Sequence, residues 1–584
     1  MSSTTASRAV FASNNEQRPP KRSWLQWILM GPKFLFVHVT KHVGVGLVCA
    51  VAYFDPGNWG VDLQAGSEFG YHLLFVILLA GMFGIFLQVL CSRLGCVTGL
   101  DLASHVRLMY HDRPRNTQFW RWFVLYPLYA LAEVAIISTD LAELLGSAIA
   151  LCLLFPGLEL WQGVLLTGLD VLLILALGDP LRGKPVKLFE WLIASMVLSV
   201  LVCIAVIIAK VQPVWSTAFE GYIPSKYIFQ GDGLYTSVGI LGATVMPHSL
   251  FLGSALATQD RVHHKETAKG NSKQIDLDDD KASTHTEGSG TRKSAISQWF
   301  ADTKEEVLQQ FRIPPPSKNS TDAVSHNARE NNSQSFVKAH IYYGIVDVVS
   351  SLLGFALVIN SMITILASAV FFYGNPGSSN GGPASLFDAY DLIKHLVGLP
   401  AAKLFAVALL AAGQSSSIIA TVSGQAVAEG YIHWRVSPVI RRLMTRLLAI
   451  IPSTAVAVAV GKDGINTLLV ASQVILSITL PFITFPLLYL TASKEVMRVR
   501  VEKPASSNNS TTITLPSSGY SGTYRGAITE APRLNSNAPT LVEEGSNEEW
   551  EDFSNSIYST ALGMVIWLII VAANFYVVVK LAVG

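Results

Sequence analysis

The sequence predicts an all-α polytopic membrane protein: eleven transmembrane helices, two inverted repeats of five with helices one and six discontinuous, and one extra helix at the C-terminus. Three observations predict it. The chain of 584 residues is 51% hydrophobic and only 14% charged, with mean hydropathy +0.41. Its apolar residues collect in runs of about 20 or more, the length a helix needs to cross a bilayer. Helix-breaking prolines interrupt the first and the sixth run, five spans apart, the placement expected of an inverted-repeat transporter with its site near the midplane.

The runs lie near 43–69, 72–94, 119–153, 159–178, 188–210, 234–258, 339–372, 401–429, 440–460, 465–490 and 557–582. Several exceed the minimum, which implies tilt or extension beyond the lipid. Ahead of them, 1–42 reads as a cytoplasmic tail and membrane-surface segment, because WLQWILMGPKFLFVHV is short and broken by Gly31, Pro32 and Lys33. Helices one to six occupy 43–258, seven to ten 338–493, and the eleventh 557–584. The polar insertions between them, 259–337 and 494–556, are rich in Ser, Asn, Thr, Lys and Asp. They bury too little apolar surface to fold alone and read as disordered cytoplasmic loops, open to cytoplasmic regulators.

Basic residues set the orientation. With the N-terminus cytoplasmic, inside segments hold Lys21, Arg22, Lys33 and Lys41, then Arg93, Arg107, Arg113, Arg115 and Arg121, then Arg182, Lys184 and Lys187, and later Arg435, Arg441 and Arg442. The opposite segment LFPGLEL has no basic residue and 373–400 has only Lys394, so the C-terminus ends outside or in a lumen. Sequons at Asn319, Asn331, Asn508 and Asn509 then face the cytosol and read as chance. The expected setting is the plasma membrane or an endosomal or vacuolar membrane, with lipid around the bundle.

A net charge of +1 with no strongly basic face argues against a nucleic-acid partner. The five cysteines lie in or beside apolar runs without CxxC spacing, which argues against a disulfide framework and a zinc site. No nucleophile and base pair or phosphate loop points to an enzyme.

The interruption AVAYFDPGNWGVD in the first run places Asp55 beside Pro56 and Gly57. Pro56 has no N–H, so the carbonyl of Ala52 four residues earlier loses its helical partner. Broken backbone at membrane depth survives where it faces protein, water or an ion, and a carboxylate there costs roughly 2.5–3.5 kcal/mol on insertion scales. A bound cation removes both penalties. In the sixth run, GILGATVMPHSLFLGSAL, Pro247 frees the carbonyl of Ala243 in the same way.

Asp55 and Asn58 are three residues apart, as are Ala243 and Met246. The converging donors are a carboxylate, an amide oxygen, one or two carbonyls and a thioether. An oxygen-only cage suits calcium or magnesium, but the softer thioether favours manganese or ferrous iron. His248 follows two residues later, and its titration range suits a proton-linked group. In the third run Glu133, Asp140 and Glu143 fall within an arc of about 80° on one helical face. Together with Arg441 and Arg442 they suggest a proton path.

The sequence resembles the Nramp family of proton-coupled divalent metal transporters, as a fungal member. The resemblance rests on DPGN at 55–58, ATVMPH at 243–248, TDLAE at 139–143, GQSSSIIATVSGQ at 413–425 and SQVILSITLPF at 472–482, spread over roughly 43–490. It implies a LeuT-type fold and alternating-access import of manganese or ferrous iron into the cytosol, with protons as the coupling ion and no permanently bound cofactor. It implies metal-binding roles for Asp55, Asn58 and Met246, joined by the Ala52 and Ala243 carbonyls and, in some conformations, by Gln473. It associates Asp140, Glu143, Arg441 and Arg442 with proton movement and places Asn360 near the site as polar support. GQSSS stands where much of the family has GQSST; close packing is the role read for that stretch. Two rival readings are a sodium-coupled amino-acid carrier of the same architecture and a metal-sensing receptor signalling through its insertions.

Overall fold

In the computed structural model, residues 45–174, 187–260, 312, 325–326, 329–374, 384–434, 437–501 and 549–583 are described. The expected tail and membrane-surface segment at 1–42, and the middle of each insertion, lie outside the described residues.

The first run is split. Helix α1 (Val45–Val51) tightens into a 3-10 turn at Ala52–Phe54, Asp55 is extended with ψ of 170°, and α2 (Pro56–Phe69) starts on Pro56. Proline fits there because a helix's first turn has no use for the missing N–H. A 3-10 turn, Gly70–Leu73, leads into α3 (Leu74–Thr98), followed by the short α4 (Leu102–Tyr110). Then come α5 (Thr117–Leu154), α6 (Leu160–Ile174) and α7 (Lys187–Val211). The sixth run is split like the first: α8 (Gly233–Thr244) ends, Val245 and Met246 leave helical geometry, and α9 (Pro247–Leu256) starts on Pro247. The rest is α10 (Gln334–Phe372), α11 (Leu386–Leu396), α12 (Leu399–Ile432), α13 (Pro438–Ala459), α14 (Lys462–Ala492) and α15 (Ile557–Val583).

Among the described residues each apolar run falls on helix apart from the two breaks, yet nine helices there are long and apolar enough to cross a membrane. The difference from eleven has two sources: α2 and α3 form a single stretch, Pro56–Thr98, and α6 has 15 described residues. The apolar part of α8–α9 is wholly enclosed, whereas α13 and α15 bury 24% and 28% of theirs. The broken helices therefore form the centre of the bundle. Trp59, Tyr53 and Phe54, all fully buried around the first break, anchor it there, with the Trp59 ring 5.4 Å from that of Phe405 on α12.

The two insertions correct the expectation of disorder at their ends. Arg498–Arg500 (β1) pairs antiparallel with Trp550–Asp552 (β2), Val499 opposite Glu551. Val499 is buried between two arginines, a period-two pattern too short to stand out in a polar stretch. In the other insertion Arg329, Asn331 and Asn332 are fixed because they satisfy carbonyls that helix ends leave unpaired. Asn332 Nδ2 donates to the Cys96 carbonyl (2.8 Å) and its N–H to that of Val97 (3.1 Å). Arg329 donates to the carbonyls of Thr98 and Gly99. Asn331 Nδ2 donates to the carbonyls of Val496 (2.8 Å) and Arg498 (2.7 Å), binding one insertion's end to the other's.

A buried relay of hydrogen bonds lies beside them. Thr98 Oγ1 donates to the Leu94 carbonyl (2.7 Å), which leaves it to accept from His105 Nε2 (2.8 Å). His105 Nδ1 then accepts from His326 Nε2 (3.0 Å). Burial pushes the His105 imidazole well below the ordinary histidine range, helped by His326 and Arg329, and burial lowers His326 too.

Candidate metal centre

The Asn58 side chain links the two breaks. Asp55 caps α2, its Oδ1 accepting from the Asn58 N–H (2.8 Å) and from Asn58 Nδ2 (2.8 Å). The same Nδ2 donates to the Ala243 carbonyl (2.8 Å), one of the two that proline placement singled out. Asn58 and Ala243 are thus close enough to share one ion's coordination sphere.

Other side chains satisfy the backbone opened by the first break. Asn360 Nδ2 on α10 donates to the Tyr53 carbonyl (2.7 Å) and lies 3.4 Å from Asn58 Oδ1. Trp59 Nε1 donates to the Phe54 carbonyl (3.1 Å). Ala52 opens the 3-10 turn and Met246 caps α9, both fully buried.

Helix α14 closes the site through two glycines. A Cβ on Gly57 would sit 2.0 Å from Gln473 Nε2, and one on Gly242 would sit 2.2 Å from the Gln473 carbonyl oxygen. Only a residue without a side chain lets Gln473 approach both broken helices.

Three oxygens in this cluster stand out: Asp55 Oδ2, Asn360 Oδ1 and Gln473 Oε1 are buried with no hydrogen-bond partner among the described residues. Buried polar atoms are almost always paired. No ion pair reaches Asp55 among the described residues, and no group of three or more His, Cys, Asp or Glu there could hold a metal by itself. The cluster is one acid among neutral oxygens, with the Met246 side chain enclosed at the opposite break.

On the α1 and α9 side of the breaks lies a buried hydrogen-bonded layer. Tyr53 Oη donates to Gln88 Oε1 (3.3 Å), Ser249 Oγ to the same oxygen (3.4 Å), and Gln88 Nε2 to Cys49 Sγ (3.3 Å).

The acids of the third span each find a different partner. Glu133 pairs with Arg441, Asp140 Oδ1 lies 3.3 Å from Arg446 Nη1, and Glu143 Oε1 accepts from Ser416 Oγ (2.5 Å). A cleft lined by Ile136, Asp140, Thr421, Gly424, Arg441 and Thr445 opens between the first two pairs. His248 Nδ1 is 3.2 Å from Thr139 Oγ1, which ties the second break to this row. The side chain of Arg442 lies outside the described residues.

Sequence reasoning missed Arg446, whose signal was an arginine midway through an apolar helix. It missed Ser416 and Trp59, whose roles depend on contacts between elements. It also missed Asp62, a second carboxylate on α2, which is 1% exposed.

Comparison with known proteins follows the same lines. Residues 46–279 and 320–518 match the family described as Nramp, natural resistance-associated macrophage protein-like. The manganese transporter pdt1 of Schizosaccharomyces pombe is 41% identical over 79% of this chain and 76% of its own length. The iron transporter SMF3 of Saccharomyces cerevisiae is 34% identical over 93% of this chain and 96% of its own. Among solved structures, a manganese transporter of Eremococcus coleocola in complex with an aromatic bis-isothiourea compound superposes with a TM-score of 0.61, at 27% identity, over 95% of this chain and 87% of that one.

Proposed function

The chain belongs to the Nramp family, and from that premise we propose that it is a secondary transporter importing manganese or ferrous iron into the cytosol, coupled to protons, by alternating access. The observation that carries this reading is the cluster of three unpartnered buried oxygens around Asp55 and both breaks. A divalent cation supplies what they lack. Asp55 contributes the charge, while Asn58, Gln473 and the Ala52 and Ala243 carbonyls contribute neutral oxygens. The Met246 sulfur adds a softer ligand that calcium and magnesium gain little from.

On this reading the ion takes the place of the hydrogen bonds that now hold Asn58 to Asp55 and Ala243. Any proton on Asp55 leaves as the metal coordinates and passes by His248 and Thr139 to Glu143, Asp140 and Glu133, with Arg441 and Arg446 balancing the acids. Release to the cytosol requires the Tyr53, Gln88 and Ser249 layer to part as the half-helices tilt. An inside-negative potential favours entry by about 2.3 kcal/mol per charge per 100 mV. The orientation follows the basic flanks, with the N-terminus cytoplasmic and the C-terminus outside or lumenal.

The test is uptake by purified protein in proteoliposomes across a panel of divalent ions, with and without an inward proton gradient. Manganese and ferrous iron should enter, faster with the gradient, and calcium should not. Binding without flux would instead mark a sensor, and competition by an amino acid would mark a sodium-coupled carrier.

A further inference from the structure

Asp62 lies seven residues beyond Asp55 on α2, about 10 Å along the axis and nearly in line with it. Its side chain is 1% exposed, and its Oδ2 has no hydrogen-bond partner among the described residues. No ion pair includes it among the described residues either.

The surroundings are a parallel seam between α2 and α10. Asn360 reaches Asn58, Thr364 Oγ1 donates to the Asp62 carbonyl (3.4 Å), and a Cβ on Gly66 would meet the Thr364 carbonyl and the Ala367 Cβ, each at 2.6 Å. Positions 58, 62 and 66 therefore follow 360, 364 and 367 outward from the site. One more oxygen of the seam, Asn360 Oδ1, is also buried without a hydrogen-bond partner among the described residues.

A purely structural acid would show its use. Ionised, it would accept hydrogen bonds at both oxygens; Oδ2 accepts none among the described residues, and an uncompensated carboxylate at this depth is costly. What the ionised acid lacks is a positive partner that comes and goes.

We propose that Asp62 is an entry subsite for the divalent cation, one stop before Asp55 on the side that the basic flanks place outside. It rests on the transport reading above. Its donors are oxygens alone, with no thioether, so calcium binds there about as well as manganese. Discrimination occurs only at the next stop, beside Met246.

The experiment uses the full chain in proteoliposomes and in detergent. In the wild type, calcium raises the KM for manganese without being transported. In Asp62→Asn that calcium effect disappears and the KM for manganese itself rises about fivefold, with the maximal rate held within about twofold. An unchanged KM, or a fall confined to the maximal rate, overturns the proposal. A wild type that moves no metal overturns the transport reading instead. Independently of whether Asp62→Asn folds, electron paramagnetic resonance of manganese with Asp55→Asn should show one weakly held ion that calcium displaces. No residual ion, or one that calcium leaves in place, also overturns the proposal.

Discussion

The two breaks look alike in sequence and are built differently. The first carries a charge, caps its own outer half-helix with Asp55, and has its opened carbonyls paired by side chains, Asn360 to Tyr53 and Trp59 to Phe54. The second carries no acid; its cap residue is Met246, without a side-chain hydrogen bond, and its exposed carbonyl at Ala243 is met by Asn58 from the first. The difference is a division of labour. The first break holds the acid and its side-chain partners, and the second holds the thioether and depends on the first for its polar contact.

The largest effect that could break this comparison is loss of the charge. Asp55→Ala should lower manganese uptake at least about 100-fold, the equivalent of more than 2 kcal/mol of binding. It should also cost about 1 kcal/mol of stability through the lost cap, so Asp55→Asn, which keeps an oxygen for the Asn58 N–H, separates the two. Uptake and thermal unfolding in detergent read them, and an Asn variant that transports normally would remove the charge from the account. Next comes Asn58→Ala, which cuts the side-chain bridge from the first break to the Ala243 carbonyl of the second; we expect roughly a tenfold rise in the Kd for manganese, measured by calorimetry. If affinity is unchanged, the breaks do not act together.

Met246→Ala sharpens the other half of the comparison. Manganese transport should persist while exclusion of calcium weakens, by about tenfold in the ratio of uptake rates, and Met246→Leu, which keeps the volume, should behave like Ala. Retained calcium rejection in both variants would assign selectivity to the oxygens.

The smallest effect lies away from both breaks, at His105 and His326. Burial and Arg329 hold both imidazoles below the ordinary range, against a smaller opposing pull from Glu495 on His326. The unfolded chain therefore takes up protons first as pH falls. The stabilisation from this pair is complete above the ordinary histidine pKa of about 6.5 and drains away below it. Hydrogen exchange of residues 329–333 should quicken at pH 5.5 relative to pH 7.5 in the wild type and respond less in His105→Gln, with metal affinity at neutral pH unaltered.

Much of this was legible in the chain. Prolines mark both breaks because a missing N–H is a local property, and the apolar runs mark the helices because a bilayer demands length. Asp55, Asn58, Ala243, Asn360 and Gln473 do come together. What a single chain conceals is pairing across elements. Arg446 and Ser416 look like an isolated charge and a small packing residue until Asp140 and Glu143 stand beside them. Asp62 merges into the polar exit DLQAGSEF. The ordered ends of the insertions escaped because composition averages over a stretch, whereas Asn331 and Asn332 act one carbonyl at a time.

The close approach at Gly66 has a mechanical consequence. With no side chain to hold them apart, α2 and α10 are zipped from Asn58 to Gly66, so tilting the outer half of the first span drags its neighbour with it. In the proposed cycle any tilt of that outer half is then shared by a two-helix paddle hinged on the extended residue at Asp55.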